Sequence, residues 1–170
     1  KEAFFVETDP EINVRSSNVS SFMRLAQFQH ARKLISLPIE SFHRIAQAIG
    51  DPSGQIIFLN NTTRCGSTVL VQMFEQCGHC MALSEPDALN AISFLSRRLP
   101  ETVTLKLLQS VVRVLCKPYK GRTYESYLLK TTAPGIWSTS YMEKQYPDAK
   151  KLFMHRDGVK VADSLSKATI

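Results

Sequence analysis

The residues with the clearest chemical potential lie in LNNTTRCGSTVL, Leu59 to Leu70. A β-rich run enters a polar Gly-Ser-Thr turn and leaves it as an apolar helix. Backbone N–H groups at such a helix start, with the helix dipole behind them, form an anion site. The pattern departs from the Walker loop G-x-x-x-x-G-K-[ST]. Ser67 follows Gly66 where Lys would stand, Asn61 replaces the first Gly, and the basic residue, Arg64, precedes the glycine. No candidate strand ends in a clear metal-binding Asp, which argues against magnesium-dependent kinase or NTPase chemistry.

Such a loop needs a strand before it and a helix after it. QIIFLNN (55–61) has the composition of a buried parallel strand, and the apolar stripe Val69, Leu70, Met73, Phe74 and Cys77 predicts the helix that follows. MALSEP (81–86), YESYLLKTT (124–132) and KKLFMHR (150–156) are further candidate strands. Helices are predicted over 87–98, 101–116, 136–145 and 157–167. Strand and helix thus alternate, the signature of an α/β fold with a mostly parallel sheet and helices on both faces. Ligands bind such sheets at the carboxyl ends of the strands, where NTTRCGST, SEPD and HRDG stand. Residues 1–54 are expected to be a lead-in: extended over the first 20 or so, then helical from Phe22 to Leu34 and from Ser41 to Ile49.

A chain of 170 residues buries roughly 70% of its unfolded surface, enough for one real core. A net charge of +6, from 21 Lys and Arg against 15 Asp and Glu, favours an anionic partner. The chain lacks the aromatic motifs, zinc-finger spacing and basic blocks of nucleic-acid binders, so nucleic acid is not expected and a small phosphorylated or sulfated ligand fits as well. No apolar run is long enough to span a bilayer. Cys77 and Cys80 in CGHC match a redox motif, but the motif ends a helix rather than opening one, which points to Cys77 on the buried helix face and Gly78 as its C-cap. No metal site is expected.

TTRCGSTVL resembles the 5′-phosphosulfate loop of the sulfotransferases that use 3′-phosphoadenosine 5′-phosphosulfate (PAPS), a family with a P-loop NTPase-like fold. HRDGVKVADSL is similar to a second element of that family, a strand-end Arg followed by a Ser on the next helix, here Arg156 and Ser164. The resemblance covers roughly residues 56–167. It implies that Thr63, Arg64, Cys65, Gly66, Ser67 and Thr68 hold the 5′-phosphosulfate, with Arg64 stabilising charge during transfer, and that Arg156 and Ser164 hold the 3′-phosphate. The alternatives are helix capping by Ser67 and Thr68, and a surface ion pair of Arg156 with Asp157 or Asp163.

Cytosolic members of the family place a His base in a Lys-Thr-His element, whereas LLKTTAP has Thr132 at that position. In carbohydrate-directed members the candidate base is a carboxylate near a Glu-Pro, which LSEPD supplies as Glu85, with Asp87 close behind; the alternative is a carboxylate favoured by a helix N-terminus. Lys130 either contacts the sulfuryl oxygens or is a solvated strand-end Lys. The family's C-terminal Gly-rich element is not found, so 55–170 is expected to be the N-terminal part of a sulfotransferase domain. Two functions follow: sulfuryl transfer from PAPS to a hydroxyl or amine of a carbohydrate-like acceptor, or a non-catalytic module binding a nucleotide or sulfated ligand. The Golgi lumen and the cytoplasm both remain open, according to whether a leader precedes Lys1.

Overall fold

The computed structural model describes residues 1–167. The chain opens with β1 (Glu2–Thr8), α1 (Met23–Gln29), β2 (Ala31–Pro38) and α2 (Ile39–Ile49). The α/β unit follows as β3 (Gln55–Asn61), α3 (Ser67–Gln76), β4 (Cys80–Ser84), α4 (Asp87–Leu95), α5 (Glu101–Leu115) and β5 (Ser126–Lys130). A 3₁₀ turn (Ala133–Ser138) leads to α6 (Thr139–Gln145), β6 (Lys150–Met154) and α7 (Gly158–Ser166).

Strands β3 to β6 form a four-stranded parallel sheet in the order β4-β5-β3-β6. Successive strand residues point to opposite faces, and both faces of the inner strands are apolar. Ile56, Phe58, Met81, Leu83, Tyr127 and Leu129 pack with Leu89 and Ile92 of α4 and Leu108, Val112 and Leu115 of α5. Leu59, Ala82 and Leu128 pack on the other face beneath Val71 of α3. Helices therefore flank the sheet on both sides.

The chain leaves β3 through α3 on one face and lands beyond β5, at the β4 edge. It returns through α4 and α5 on the opposite face and later steps past β3 to β6. Opposite directions on opposite faces preserve a single hand of crossover, as parallel strand connections require. The carboxyl ends of all four strands consequently bring the loops after Asn61, Ser84, Lys130 and Met154 to one rim.

The N-terminal segment keeps the helix expected over 41–49, within α2, but differs before it from the lead-in expected. β1 pairs antiparallel with β2, with Val6 opposite Leu34 and Phe4 opposite Ser36. The first helix ends at Gln29, so Leu34 belongs to a strand; the helical spacing of its apolar residues is overridden by pairing with a distant segment. Met23 and Phe42 reach the main core. The α3 stripe is also rotated from the expected one: Ser67 and Val71 are buried, Leu70 and Phe74 half-buried, and Val69, Met73 and Cys77 exposed. Cys77 closes the helix, with Gly78 left-handed (φ 78°) directly after it, while Cys80 starts β4 and burial pushes its thiol pKa up. The helix predicted over 136–145 begins instead as the 3₁₀ turn, imposed by Pro134 and Gly135. Among the described residues no helix is long and apolar enough to cross a membrane.

Candidate functional site

Asn61, the buried last residue of β3, turns the chain out of the sheet. Its Nδ2 donates to the Thr131 carbonyl at 2.7 Å, and its Oδ1 accepts from the Thr63 N–H at 2.9 Å. Thr62 N–H donates to the Met154 carbonyl at 3.0 Å, tying the loop to β6. Thr63, Arg64 and Gly66 then adopt left-handed backbone, with φ of 61°, 49° and 88°. Such turns direct successive N–H groups to one side, a common anion cradle. Two of these residues bear side chains that resist this conformation, so the strain is concentrated where the loop would meet a ligand. The Asn in place of the first Walker glycine thus has a structural task that glycine could not perform.

The hydrogen-bond ladder of α3 starts with Val69 N–H donating to the Gly66 carbonyl at 3.0 Å. The N–H groups of Ser67 and Thr68 precede it, and no side chain caps the helix. Ser67 and Thr68 therefore do not act as side-chain caps. The amides that every helix start leaves without an intrahelical partner face the same rim as the basic residues. The Cys65 thiol is free and half-buried.

Arg64 donates through Nε to the Ser164 hydroxyl on α7 at 2.8 Å. Arg156, just past β6, donates through Nη1 to the Arg64 carbonyl at 3.1 Å. Neither aspartate suggested as its surface partner takes Arg156: Asp157 caps α7 by accepting from Lys160 N–H at 3.1 Å, and Asp163 pairs with Lys167 at 2.8 Å. Two motifs about ninety residues apart in the chain thus form one contiguous cationic surface beside the helix start.

A second cluster lies where β4 and β5 end. Lys130 shares the sheet face of Leu128, which packs beneath α3, so alternation aims its side chain at the first turn of that helix. Its Nζ donates to Thr68 Oγ1 at 3.2 Å and to Glu85 Oε1 at 2.7 Å. The Lys130 side chain is 2% exposed and that of Glu85 25%; Lys130 is not a solvated strand-end residue. The Phe22 ring sits 5.3 Å from Nζ, within cation–π range. Glu85 occupies left-handed backbone at φ 55°, held by its N–H donating to the Lys130 carbonyl at 3.0 Å.

Behind these groups a buried polar network fixes the strand ends. Thr131 Oγ1 donates to Asn60 Oδ1 at 2.7 Å, and Asn60 Nδ2 donates to Thr139 Oγ1 at 3.2 Å. Gly135 lets the 3₁₀ turn lie on Thr131: a Cβ there would sit 2.1 Å from Thr131 Oγ1. Thr132 donates through both N–H and Oγ1 to Asn90 Oδ1, at 3.0 and 3.1 Å. Two hydroxyls at the rim, Thr62 Oγ1 and Ser84 Oγ, are buried with no hydrogen-bond partner. Buried hydroxyls are seldom left unmatched.

The predicted site residues therefore divide into two adjoining groups, with Arg64, Arg156 and Ser164 on the β6 side of the loop and Thr68, Lys130 and Glu85 on the β5 side. Phe22, Asn60 and Asn90 are additional members that sequence reasoning does not single out, and Asn61, noted there only as a departure from the Walker pattern, shapes the loop. The Asn61-x-Thr63 turn is the one legible trace, since Asn side chains commonly accept from the N–H two residues on. Asp87 is exposed in the first turn of α4. Comparison with known proteins finds no matching family model, no matching curated protein and no matching solved structure.

Proposed function

We propose that the chain is a PAPS-dependent sulfotransferase unit built on a P-loop-like fold. The observation that carries this reading is the convergence of Arg64, Arg156 and Ser164 at the uncapped start of α3. Cationic groups and unpaired amides gathered without an interposed carboxylate suit a ligand carrying more than one phosphate-like group.

PAPS supplies the sulfuryl group, whose bond to the 5′-phosphate oxygen breaks as the acceptor oxygen bonds to sulfur, leaving 3′-phosphoadenosine 5′-phosphate. The residues of this chain have separate tasks in that exchange. The amides of Gly66 to Thr68 and the Arg64 guanidinium hold the 5′ end and stabilise charge on the departing phosphate. Arg156 and Ser164 hold the 3′-phosphate. Lys130, fixed between Thr68 and Glu85, presents a desolvated cation beside the loop, where electrostatic stabilisation is strongest. Glu85 takes the acceptor proton once its carboxylate turns from Lys130. The acceptor is a hydroxyl, or an amine, of a carbohydrate-like molecule.

The 2.7 Å contact between Lys130 and Glu85 favours one second reading, because it engages the two assigned catalytic groups with each other. On that reading the rim binds a nucleotide or sulfated ligand without turnover. Transfer of labelled sulfate from PAPS to a panel of hydroxyl-bearing oligosaccharides separates the two. The enzyme reading expects transfer that falls at least about a hundredfold in Glu85→Gln, within the usual range for loss of a general base. Donor binding with no transfer to any acceptor leaves the binding-module reading, and a fully active Glu85→Gln variant removes Glu85 as the base.

A further inference from the structure

A cleft of about 320 Å³ opens at the opposite, amino-terminal end of the sheet, where α3 ends and β4 begins. Arg15, Glu75, Met81, Tyr119, Arg122 and Tyr124 line it. Its size is in the range of small-molecule pockets.

Arg15 is the unusual member. It lies half-buried in the N-terminal segment, and its Nη1 meets the Lys117 carbonyl at 2.9 Å and the Met81 thioether at 3.8 Å. Its guanidinium stands 5.8 Å from the Tyr119 ring. It forms no ion pair with an Asp or Glu among the described residues, although one acidic side chain, Glu75, shares the cleft. That carboxylate is engaged by Ser17, accepting from its N–H at 2.8 Å and from its hydroxyl. Desolvation lowers the pKa of both Arg15 and Lys117, and the Arg15 charge adds to the lowering at Lys117. A partly desolvated guanidinium without a counter-charge is costly to keep. A residue that contributes cost rather than stability is characteristic of a binding position.

A second guanidinium faces the same space. Arg122 stacks over Tyr124 with Cζ 4.9 Å from the ring centroid and donates through Nη2 to the Gly78 carbonyl. Each arginine thus lies within cation–π range of a tyrosine ring, which limits its rotamers. Two guanidiniums lining one cleft suit recognition of planar or tetrahedral oxyanions.

We propose that this cleft is a second ligand site, separate from the rim at the strand carboxyl ends, and that it takes the oxyanion group of a small molecule, with Arg15 as the inner anchor and Arg122 as the outer one. Glu75 limits the negative charge the site accepts.

The test is titration of the chain with citrate and, separately, with inorganic phosphate, followed through the arginine Nε–Hε resonances. Saturable shifts at Arg15 and Arg122 are expected with at least one probe, and the stronger response distinguishes carboxylate from phosphate recognition. Arg15→Gln, which retains a donor for the Lys117 carbonyl, should weaken that binding by roughly tenfold to a hundredfold, and Glu75→Gln should strengthen it. Arg122→Ala, at an exposed position, should also weaken binding and decides the matter if Arg15→Gln does not fold. The proposal is overturned if neither probe shifts these resonances, if the responding arginine variants bind as wild type does, or if Arg64→Ala abolishes the response instead.

Discussion

Arg64 and Ser164, separated by 100 positions in the chain, are joined by a 2.8 Å hydrogen bond from guanidinium to hydroxyl. The bond places α7 against the loop before α3 and makes one surface of two motifs that the sequence presents separately. Because both groups are accessible at the rim, the contact is a weak source of stability; exposed pairs of this kind contribute little to folding. Arg64→Ala and Arg156→Ala should therefore leave the denaturation midpoint nearly unchanged. Each should weaken binding of 3′-phosphoadenosine 5′-phosphate by about 1.5–3 kcal/mol, the loss of a charge-assisted contact. Calorimetric titration checks both, and a large loss of stability with unchanged affinity would reverse the assignment.

The Lys130–Glu85 pair should behave in the opposite way. Lys130 is almost fully removed from solvent, and removing one partner of a buried pair leaves the other charge uncompensated. Lys130→Met is expected to destabilise the fold by about 3 kcal/mol. Glu85→Gln should cost at least as much, since it leaves the buried Lys130 ammonium with an accepting amide oxygen but no counter-charge, whereas the Glu85 left by Lys130→Met is partly open to water. The double variant should recover part of the loss, giving a coupling energy above about 1 kcal/mol in urea denaturation. Strict additivity would show that the two side chains do not depend on one another.

Gly135 carries a steric prediction. A Cβ at this position would meet both Oγ1 and Cβ of Thr131, at 2.1 and 2.3 Å, and Asn60 Oδ1 at 3.0 Å. Thr131 is fully buried and bonded to Asn60, so it has little room to give. Gly135→Ala should destabilise by about 3 kcal/mol or more, at the upper end of overpacking costs. Gly50→Ala, where no atom lies within 4 Å but φ is 80° and ψ 177°, should cost about 2 kcal/mol through backbone strain alone. Equal effects of the two in urea denaturation would contradict the close approach.

A pH dependence follows from His43, which bonds Ser110 across α2 and α5 with 2.7 Å between Nδ1 and Oγ. Burial, then the nearby Lys106 charge, lowers its pKa from 6.5, while Glu40 opposes the shift. The unfolded chain thus holds the proton more readily than the folded one just below 6.5. Linkage then gives stability that is full above that value, falls as pH drops through the window, and levels off below the folded pKa. Denaturation midpoints at about pH 7.5 and about pH 5.5 should differ more for wild type than for His43→Gln. An identical difference would remove His43 from the account.

The alternating α/β order and the turn between β3 and α3 are legible because each depends on residues adjacent in the chain: apolar runs of strand length, and Gly66 before a helix. Sequence position also indicates that Arg156 follows a strand. What spacing cannot convey is register. Lys130 reaches Glu85 because it lies opposite Ser84 on one side and Leu59 on the other, and nothing local specifies that alignment. The β1–β2 pairing is hidden for the same reason: Leu34 continues a helical spacing until β1 pairs with its segment. The buried face of α3 is turned by about one position from its apolar spacing, since periodicity indicates that a face is apolar but the sheet beneath decides which residues meet it. Phe22 reaches Lys130 only because the N-terminal segment packs on the core, a relationship between residues far apart in the chain.

We propose that the rim binds a nucleotide with phosphates at both its 3′ and 5′ positions through Arg64 and Arg156, without a divalent cation. The most direct measurement is calorimetric titration of the chain with 3′-phosphoadenosine 5′-phosphate in the presence of a chelator, with adenosine 5′-phosphate as the comparison ligand. The account predicts saturable binding at submillimolar ligand, weaker by roughly tenfold or more for adenosine 5′-phosphate through loss of the Arg156 and Ser164 contacts, and a comparable loss in Arg156→Ala. No binding to the doubly phosphorylated nucleotide, or equal affinity for the two nucleotides, would contradict it.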